Sequence, residues 1–550
     1  MSVSWLDETW GMPAPSDGDP QAAPGDSPAP SPEDQNLHHN PTFWILIAFA
    51  LLSALLGRLA YLTKPFDHDA RIFIYLGKLV ADGGRFYHDI VDNKFPSVGL
   101  MTSICWRVLG TWWPGYVLLQ TAMALGGALL LGRMAARAFG AHARLPAVLF
   151  ALVYLNFNVA VFGGFQLETL QTFFAILAAG AALEALTGDN WRDAAVAGLC
   201  AGCAAMLKPT GLAALGAFAI TTSVLHHQDW RRLLRHGGAA AAGLCIPLGV
   251  VLLYLINTRI LADMPQLVRQ IQRYAAETPW ELSDYCKPFV VAVIALFPVV
   301  VRAWVFRRDE YRLPIDTNRP AALFAVCWLA LELIGAVMQS RMYAYHFLPV
   351  AAPAALVYAM WPRKDRVASL AAAIVPLAFA SIIASGEIMA FYWNTPMRSP
   401  VSDYLIARTA PTDAVWSDSY PRILLETNCK PGARIPLTFL FLNYDTAPLE
   451  YSEVMLRDFE DRRPKYMIMP LDLRDKLRDE TTRAPELLNR PQRRQNYVRA
   501  WTRIDDYVKR HYRLEKCLDG QLIYRRCSPQ ELAQKQTPNP PVADINESVP

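Results

Sequence analysis

Apolar residues in this chain gather into about eleven runs of roughly 17–25 residues, the length a helix needs to cross a hydrocarbon layer ~30 Å thick. They fall near 42–62, 113–134, 145–163, 168–187, 193–207, 209–226, 238–257, 288–306, 321–339, 347–361 and 368–391. A soluble protein of this size has no need of such runs. The composition agrees, with 53% of residues apolar and 19% charged. The expected fold class is an α-helical polytopic membrane protein with a C-terminal soluble α/β domain.

Charge and cysteine usage exclude several functions. The net charge of +4 does not gather on one face, because most arginines sit in short loops between apolar runs, so nucleic acid is not expected as a partner. The nine cysteines lie mostly inside apolar segments, where they act as small hydrophobes. Cys200-x-x-Cys203 has the spacing of a redox or zinc pair but stands in an Ala/Gly-rich run without a nearby histidine or second pair.

Residues 1–41 read as a disordered cytoplasmic tail. The first forty hold seven acidic residues, seven prolines and no Lys or Arg, too little apolar surface to offset the entropy of ordering. The tail lacks the basic start and small-residue cleavage site of a secretory signal, so the first apolar run is expected to stay as an anchor. With the N-terminus cytoplasmic, the loops carrying Arg133, Arg137 and Arg144, then Arg192, then Arg231, Arg232 and Arg235, then Arg302, Arg307, Arg308 and Arg312, then Arg363, Lys364 and Arg366 all fall inside. Residues 97–110 are apolar but short and interrupted by Arg107, which fits an interfacial or re-entrant helix on the outer face.

This topology makes 42–392 the membrane domain, with a first outer loop at 63–112, and puts 393–527 outside as an α/β domain before a disordered tail at 528–550. In the outer domain, "DAVWSDSYPRILLET" predicts a strand then a helix, "RPKYMIMP" a buried strand, and "RLEKCLDGQLIYRRC" a hairpin turning at Asp519-Gly520. Cys517 and Cys527 are candidates for a cross-strand disulfide.

The first outer loop carries the most chemistry. Apolar positions 72, 73, 76, 79 and 80 recur at helical spacing, predicting an amphipathic helix able to lie along the membrane surface. Asp67 and Asp69 stand at its N-terminal end, where the helix dipole keeps a carboxylate ionised and able to accept a proton; either also serves as an ordinary N-cap. Further along the chain, Glu168, Lys208, Arg341, Tyr345 and His346 fall on the same side. Charges near spanning helices need a partner, a cavity or water, and several at one face point to a site. Glu332 lies deeper and either pairs with one of them or makes a helix–helix hydrogen bond; Glu184 reads as structural.

The loop pattern Asp69-x-x-x-Phe73, Gly84-x-x-Tyr87-x-Asp89-x-x-Asp92-x-Lys94-x-Pro96 resembles the first luminal loop of bacterial GT-C glycosyltransferases. These are relatives of protein O-mannosyltransferases and the lipid A aminoarabinose transferase. The resemblance continues in order through Glu168, "LKPTG" at Lys208, "YHFLPVAAP" at His346 and "PKYMIM" near Tyr466, over roughly residues 43–525. The acidic pair is spaced as Asp67-His68-Asp69, and Phe95 stands in Lys94-Phe95-Pro96 where a proline is usual.

The resemblance implies an inverting transfer of a sugar from a polyprenyl-phosphate donor to a lipid, glycan or protein acceptor on the outer face of the inner membrane. Asp69, or Asp67, suits the general base. Lys94, Lys208, Arg341 and His346 suit a leaving phosphate that gains charge. Tyr87, Asp92, Glu168 and Tyr345 complete the expected substrate-binding set. No cofactor is certain, and the acidic pair is compatible with a divalent cation. The alternative is a transporter or lipid flippase with the same charges lining its path, but no internal repeat is visible and a transporter does not need the long carboxylate-bearing loop.

Overall fold

The computed structural model describes residues 41–62, 68–92, 94–157, 164–276, 296, 299, 318–339, 343–360, 366–393, 398–418, 421–435, 440–441, 444–470 and 491–536. In the first part of the chain these form helices α1 (Pro41–Leu62), α2 (His68–Ala81), α3 (Pro96–Leu109), α4 (Trp113–Phe139), α5 (Arg144–Leu155), α6 (Leu167–Gly188) and α7 (Trp191–Leu207). They continue with α8 (Ala213–Leu225), α9 (Trp230–Asn257), α10 (Met264–Ala276), α11 (Arg319–Met338), α12 (Ala351–Ala359) and α13 (Arg366–Trp393). Short 3-10 segments at Pro209–Leu212 and Ala344–Val350 lead into α8 and α12.

The helical body is built on small residues. Ala124 and Ala128 of α4, Ala147 and Ala151 of α5, Ala175 and Ala179 of α6, and Ala197 and Ala201 of α7 are fully buried in one core. Small side chains let helix backbones approach closely, which is how helices bind one another where lipid removes the hydrophobic drive. Among the described residues four helices, α4, α6, α9 and α11, are long and apolar enough to cross a membrane. Shorter apolar stretches occupy Trp44–Leu59, Ala141–Leu155, Pro209–Leu225, Ala344–Ala359 and Ile374–Glu387. The expected count of about eleven spans is not confirmed by length and composition among the described residues. The run at 288–306 lies outside the described residues apart from 296 and 299.

Opposite ends of the bundle differ in charge. At the C-terminal end of α6, Asp189 accepts hydrogen bonds from Arg235 (2.6 Å) and His236 (2.8 Å) of α9 and forms an ion pair with Arg232 (2.8 Å). Arg137, near the end of α4, pairs with Glu184 of α6 at this same end. Glu168 and Lys208 stand at the other end, at the start of α6 and the finish of α7. Among the described residues Glu332 accepts its hydrogen bond within its own helix, from the Trp328 indole at 3.0 Å.

The last part of the chain forms α14 (Pro400–Ile406), β1 (Ala414–Ser417), α15 (Arg422–Thr427), β2 (Lys430–Pro431), α16 (Ala447–Arg462), β3 (Tyr466–Pro470), α17 (Pro491–His511), β4 (Tyr512–Leu518), β5 (Gln521–Arg526) and α18 (Pro529–Gln536). The sheet order is β2-β1-β3-β5-β4, with β2, β1 and β3 parallel and β5 antiparallel to both its neighbours. The hairpin turns where the sequence places it: Asp519 and Gly520 both have positive φ, at 51° and 69°, the backbone a tight two-residue hairpin demands. Cys517 and Cys527 are not neighbours. Cys517 sits beside the turn opposite Leu522, whereas the Cys527 amide bonds the His511 carbonyl beyond the open end, so both thiols are free.

A second core joins this α/β unit to α2 and the loop that follows it. Ile72, Phe73, Leu76, Phe86 and Ile90 share it with Val415, Trp416, Met467 and Trp501. Residues 72–76 of α2 are all buried, so the helix does not lie open along a membrane surface as its periodicity suggests. Its apolar face is covered by α3, and a second face by α15. The α3 helix keeps Ile104 and Val108 exposed, consistent with an interfacial element.

Candidate active site

The polar cluster is assembled by helix ends. Pro209 denies Lys208 a helical backbone, so α7 stops there and Lys208 takes an extended conformation (φ −150°, ψ 140°). Its ammonium bonds the Glu168 carboxylate in the first turn of α6 and the Gln339 side chain at 2.9 Å. It also lies 5.5 Å from the Tyr345 ring centroid, within cation–π range. The Tyr345 hydroxyl approaches the Asp69 carboxylate at 3.4 Å. One tyrosine thus separates a carboxylate in the first turn of α2 from an ammonium at the end of α7. The Tyr345 ring stacks on Tyr343 (5.2 Å) and meets His346 edge-on (4.8 Å). His346 is buried, and its Nδ1 has no hydrogen-bond partner among the described residues.

A second lysine stands in a matching setting. Lys94 bonds Asp92 at 3.0 Å and lies 5.4 Å from the Phe73 ring centroid, one helical turn beyond Asp69. Its loop is fastened at several points. The Tyr87 hydroxyl donates to the Lys94 carbonyl, and Tyr87 holds a left-handed backbone (φ 65°) to do so. Burial, then the nearby Asp92 charge, pushes the Tyr87 phenol well above its ordinary range, so it stays a donor. The Val91 amide bonds the Arg434 carbonyl (2.7 Å), and Arg434 is itself gripped by Asp458 (2.9 Å). Just past Lys94, the Ser97 hydroxyl bonds the Met206 carbonyl at 2.5 Å, which brings this loop beside Lys208.

Both pairs share a pattern: the carboxylate is buried and the ammonium tip reaches outward. Asp92 and Glu168 are 0% and 1% exposed, against 23% for each lysine. Asp92 and Glu168, both expected to bind substrate, are buried behind their lysines, each neutralised by the ammonium in front of it. Each also keeps one buried oxygen with no partner among the described residues.

The structure therefore brings Asp69, Tyr345, Lys208, Glu168 and His346 together, with Tyr87, Asp92 and Lys94 alongside. Asp67 and Arg341 lie outside the described residues. Gln339, Gln120 and Arg58 are not singled out by sequence reasoning. Each is a polar side chain inside an apolar run, and that incongruity was the available signal. Among the described residues no three His, Cys, Asp or Glu side chains come together to hold a metal ion.

No family model matches the sequence, and no curated protein does either. Solved structures do. The crystal structure of ArnT from Cupriavidus metallidurans bound to undecaprenyl phosphate matches over 89% of this chain and 99% of its own, at 12% identity and a TM-score of 0.54. Its apo form matches over 88% and 98%, at 12% identity and a TM-score of 0.53. The archaeal oligosaccharyltransferase AglB from Archaeoglobus fulgidus, in complex with an inhibitory peptide and a dolichol-phosphate, covers 88% of this chain and 74% of its own at 14% identity; its TM-score of 0.44 is too low to bear weight. With nearly all of ArnT matched from end to end, this chain shares the fold of that protein.

Proposed function

We propose that the protein transfers a sugar from a polyprenyl-phosphate carrier to an acceptor hydroxyl at the membrane surface, with inversion at the anomeric carbon. The observation that carries this is the placement of the Asp69 carboxylate and the Lys208 ammonium on either side of Tyr345, with Lys94 one turn along α2. That is the geometry of a base facing a phosphate grip. The likeness to a structure holding undecaprenyl phosphate supports the carrier.

In the reaction, Asp69 takes the acceptor proton as the acceptor oxygen bonds the anomeric carbon. The bond from that carbon to the phosphate oxygen breaks, and the lipid phosphate leaves with one added negative charge. Lys94 and Lys208 receive that charge, with Arg341 as a third donor; their counter-carboxylates are buried behind them, so the cations are held in place before charge develops. Tyr345 keeps the base and the cation apart. His346, buried behind that ring, supports it. The arginine-rich helix ends lie away from the site, which by the positive-inside rule supports an extracytoplasmic location for the chemistry.

The test is purified Asp69→Asn with a panel of polyprenyl-phosphate sugars and candidate acceptors. Transfer should fall at least a hundredfold, the contribution typical of a positioned base, with insertion and thermal stability unchanged. Wild-type turnover in that variant would remove Asp69 from the mechanism.

A further inference from the structure

Arg58 is the only charged residue of α1, and it is 2% exposed, one turn before the helix ends. A guanidinium in such a place costs several kcal/mol unless it is fully engaged. Among the described residues, the groups that accept its hydrogen bonds are all neutral. Nε bonds the Asn156 side chain (2.9 Å), Nη2 the Leu155 carbonyl (3.1 Å) and Nη1 the Gln120 side chain (3.4 Å). Gln120 in turn donates to the Gln166 carbonyl at 2.7 Å, immediately ahead of α6. Two residues later comes Glu168, which holds Lys208.

The approach of α1 is built in. A Cβ on Gly57 would collide with the Asn156 carbonyl, so only glycine lets Arg58 reach the end of α5. Arginine also has the right shape here, since its rigid planar fork spans acceptors from three segments at once, which an ammonium cannot do.

We infer that Arg58 is a positioning residue for the leaving-group side of the site: through Gln120 and the Gln166 carbonyl it fixes the first turn of α6, and so sets where Glu168 holds Lys208. The role rests on the proposed transfer for its purpose but not for its detection, because the position of Lys208 can be read without turnover. An arginine that merely packs helices would affect stability and leave Lys208 alone.

The full-length protein is compared as wild type, Arg58→Lys, Glu168→Gln and the double variant. Lys208 acetylation under limiting reagent is followed by mass spectrometry, with exposed Lys430 as the internal standard. Arg58→Lys keeps the charge but loses the fork, and should raise the Lys208 labelling rate several-fold. Glu168→Gln should do the same, and the double variant should add nothing, since both act through one contact. Where transfer is measurable, kcat should show the same non-additivity. If Arg58→Lys fails to insert, Gln120→Met breaks the next link and carries the same expectation. Wild-type labelling of Lys208 in a folded Arg58→Lys or Gln120→Met protein would overturn the inference, as would effects that multiply in the double variant. Altered labelling in a protein that transfers no sugar would sustain the link and count against the proposed reaction alone.

Discussion

Removing either member of the Lys208–Glu168 pair should have unequal consequences. Lys208→Met strands a carboxylate that is 1% exposed and already has one oxygen unpartnered among the described residues. Breaking a buried pair from one side costs about 3–5 kcal/mol, and the partial exposure of Lys208 puts this case near 3. Glu168→Gln is milder: the ammonium keeps the Gln339 oxygen at 2.9 Å, the Tyr345 face and some water, so the loss is about 1 kcal/mol, one net hydrogen bond. The double variant should resemble Glu168→Gln, because no bare carboxylate remains. Scaled to a cooperative unit of several hundred residues, melting shifts by roughly 1–2 °C per kcal/mol. Lys208→Met should then melt about 3–6 °C below wild type and the other two about 1–2 °C below, compared at one scan rate in one detergent. Equal shifts for the two single variants, or a double variant showing their sum, would refute the placement of Glu168 as a buried anion neutralised by Lys208.

Two further outcomes follow from the Lys94 loop. Lys94→Ala should raise the KM for a polyprenyl-phosphate donor by roughly tenfold or more, a charge-assisted phosphate contact being worth about 1.5–3 kcal/mol, and Asp92→Asn in that background should recover stability without recovering donor affinity. Asp89 gives the loop a pH dependence. Burial pushes its carboxyl up, but the Arg85 amide, the His88 ring and the Arg85 charge outweigh this and hold it below the usual range. Its stabilising effect is therefore full above the unfolded carboxylate pKa of about 3.9 and fades as pH falls through the lower folded value. Amide exchange at residues 85–92 should accelerate over that acid range in wild type, and Asp89→Asn should flatten the response.

Much of this architecture was legible from periodicity. The strand at Tyr466, the strand and helix spanning 414–427 and the turn at Asp519-Gly520 appear where local sequence places them, because each depends on neighbours in the chain. The segregation of Arg137, Arg232 and Arg235 from Glu168 and Lys208 to opposite helix ends was legible too. What escaped was whatever depended on distant partners. The apolar stripe of α2 looks like a membrane-facing stripe, yet it is covered by a core to which residues near 415, 467 and 501 contribute, a meeting no local pattern records. Asp92 and Glu168 resemble ligand-facing acids in a motif; only their burial shows that they serve lysines. Arg58 was hidden by the richness of the run around it.

The single bond from the Val91 amide to the Arg434 carbonyl has a consequence for biogenesis. The segment bearing Lys94 leaves the ribosome well before Arg434, whose carbonyl clasps it. On the proposed reaction, a product truncated ahead of Arg434 is therefore expected to hold Lys94 loosely and to transfer no sugar.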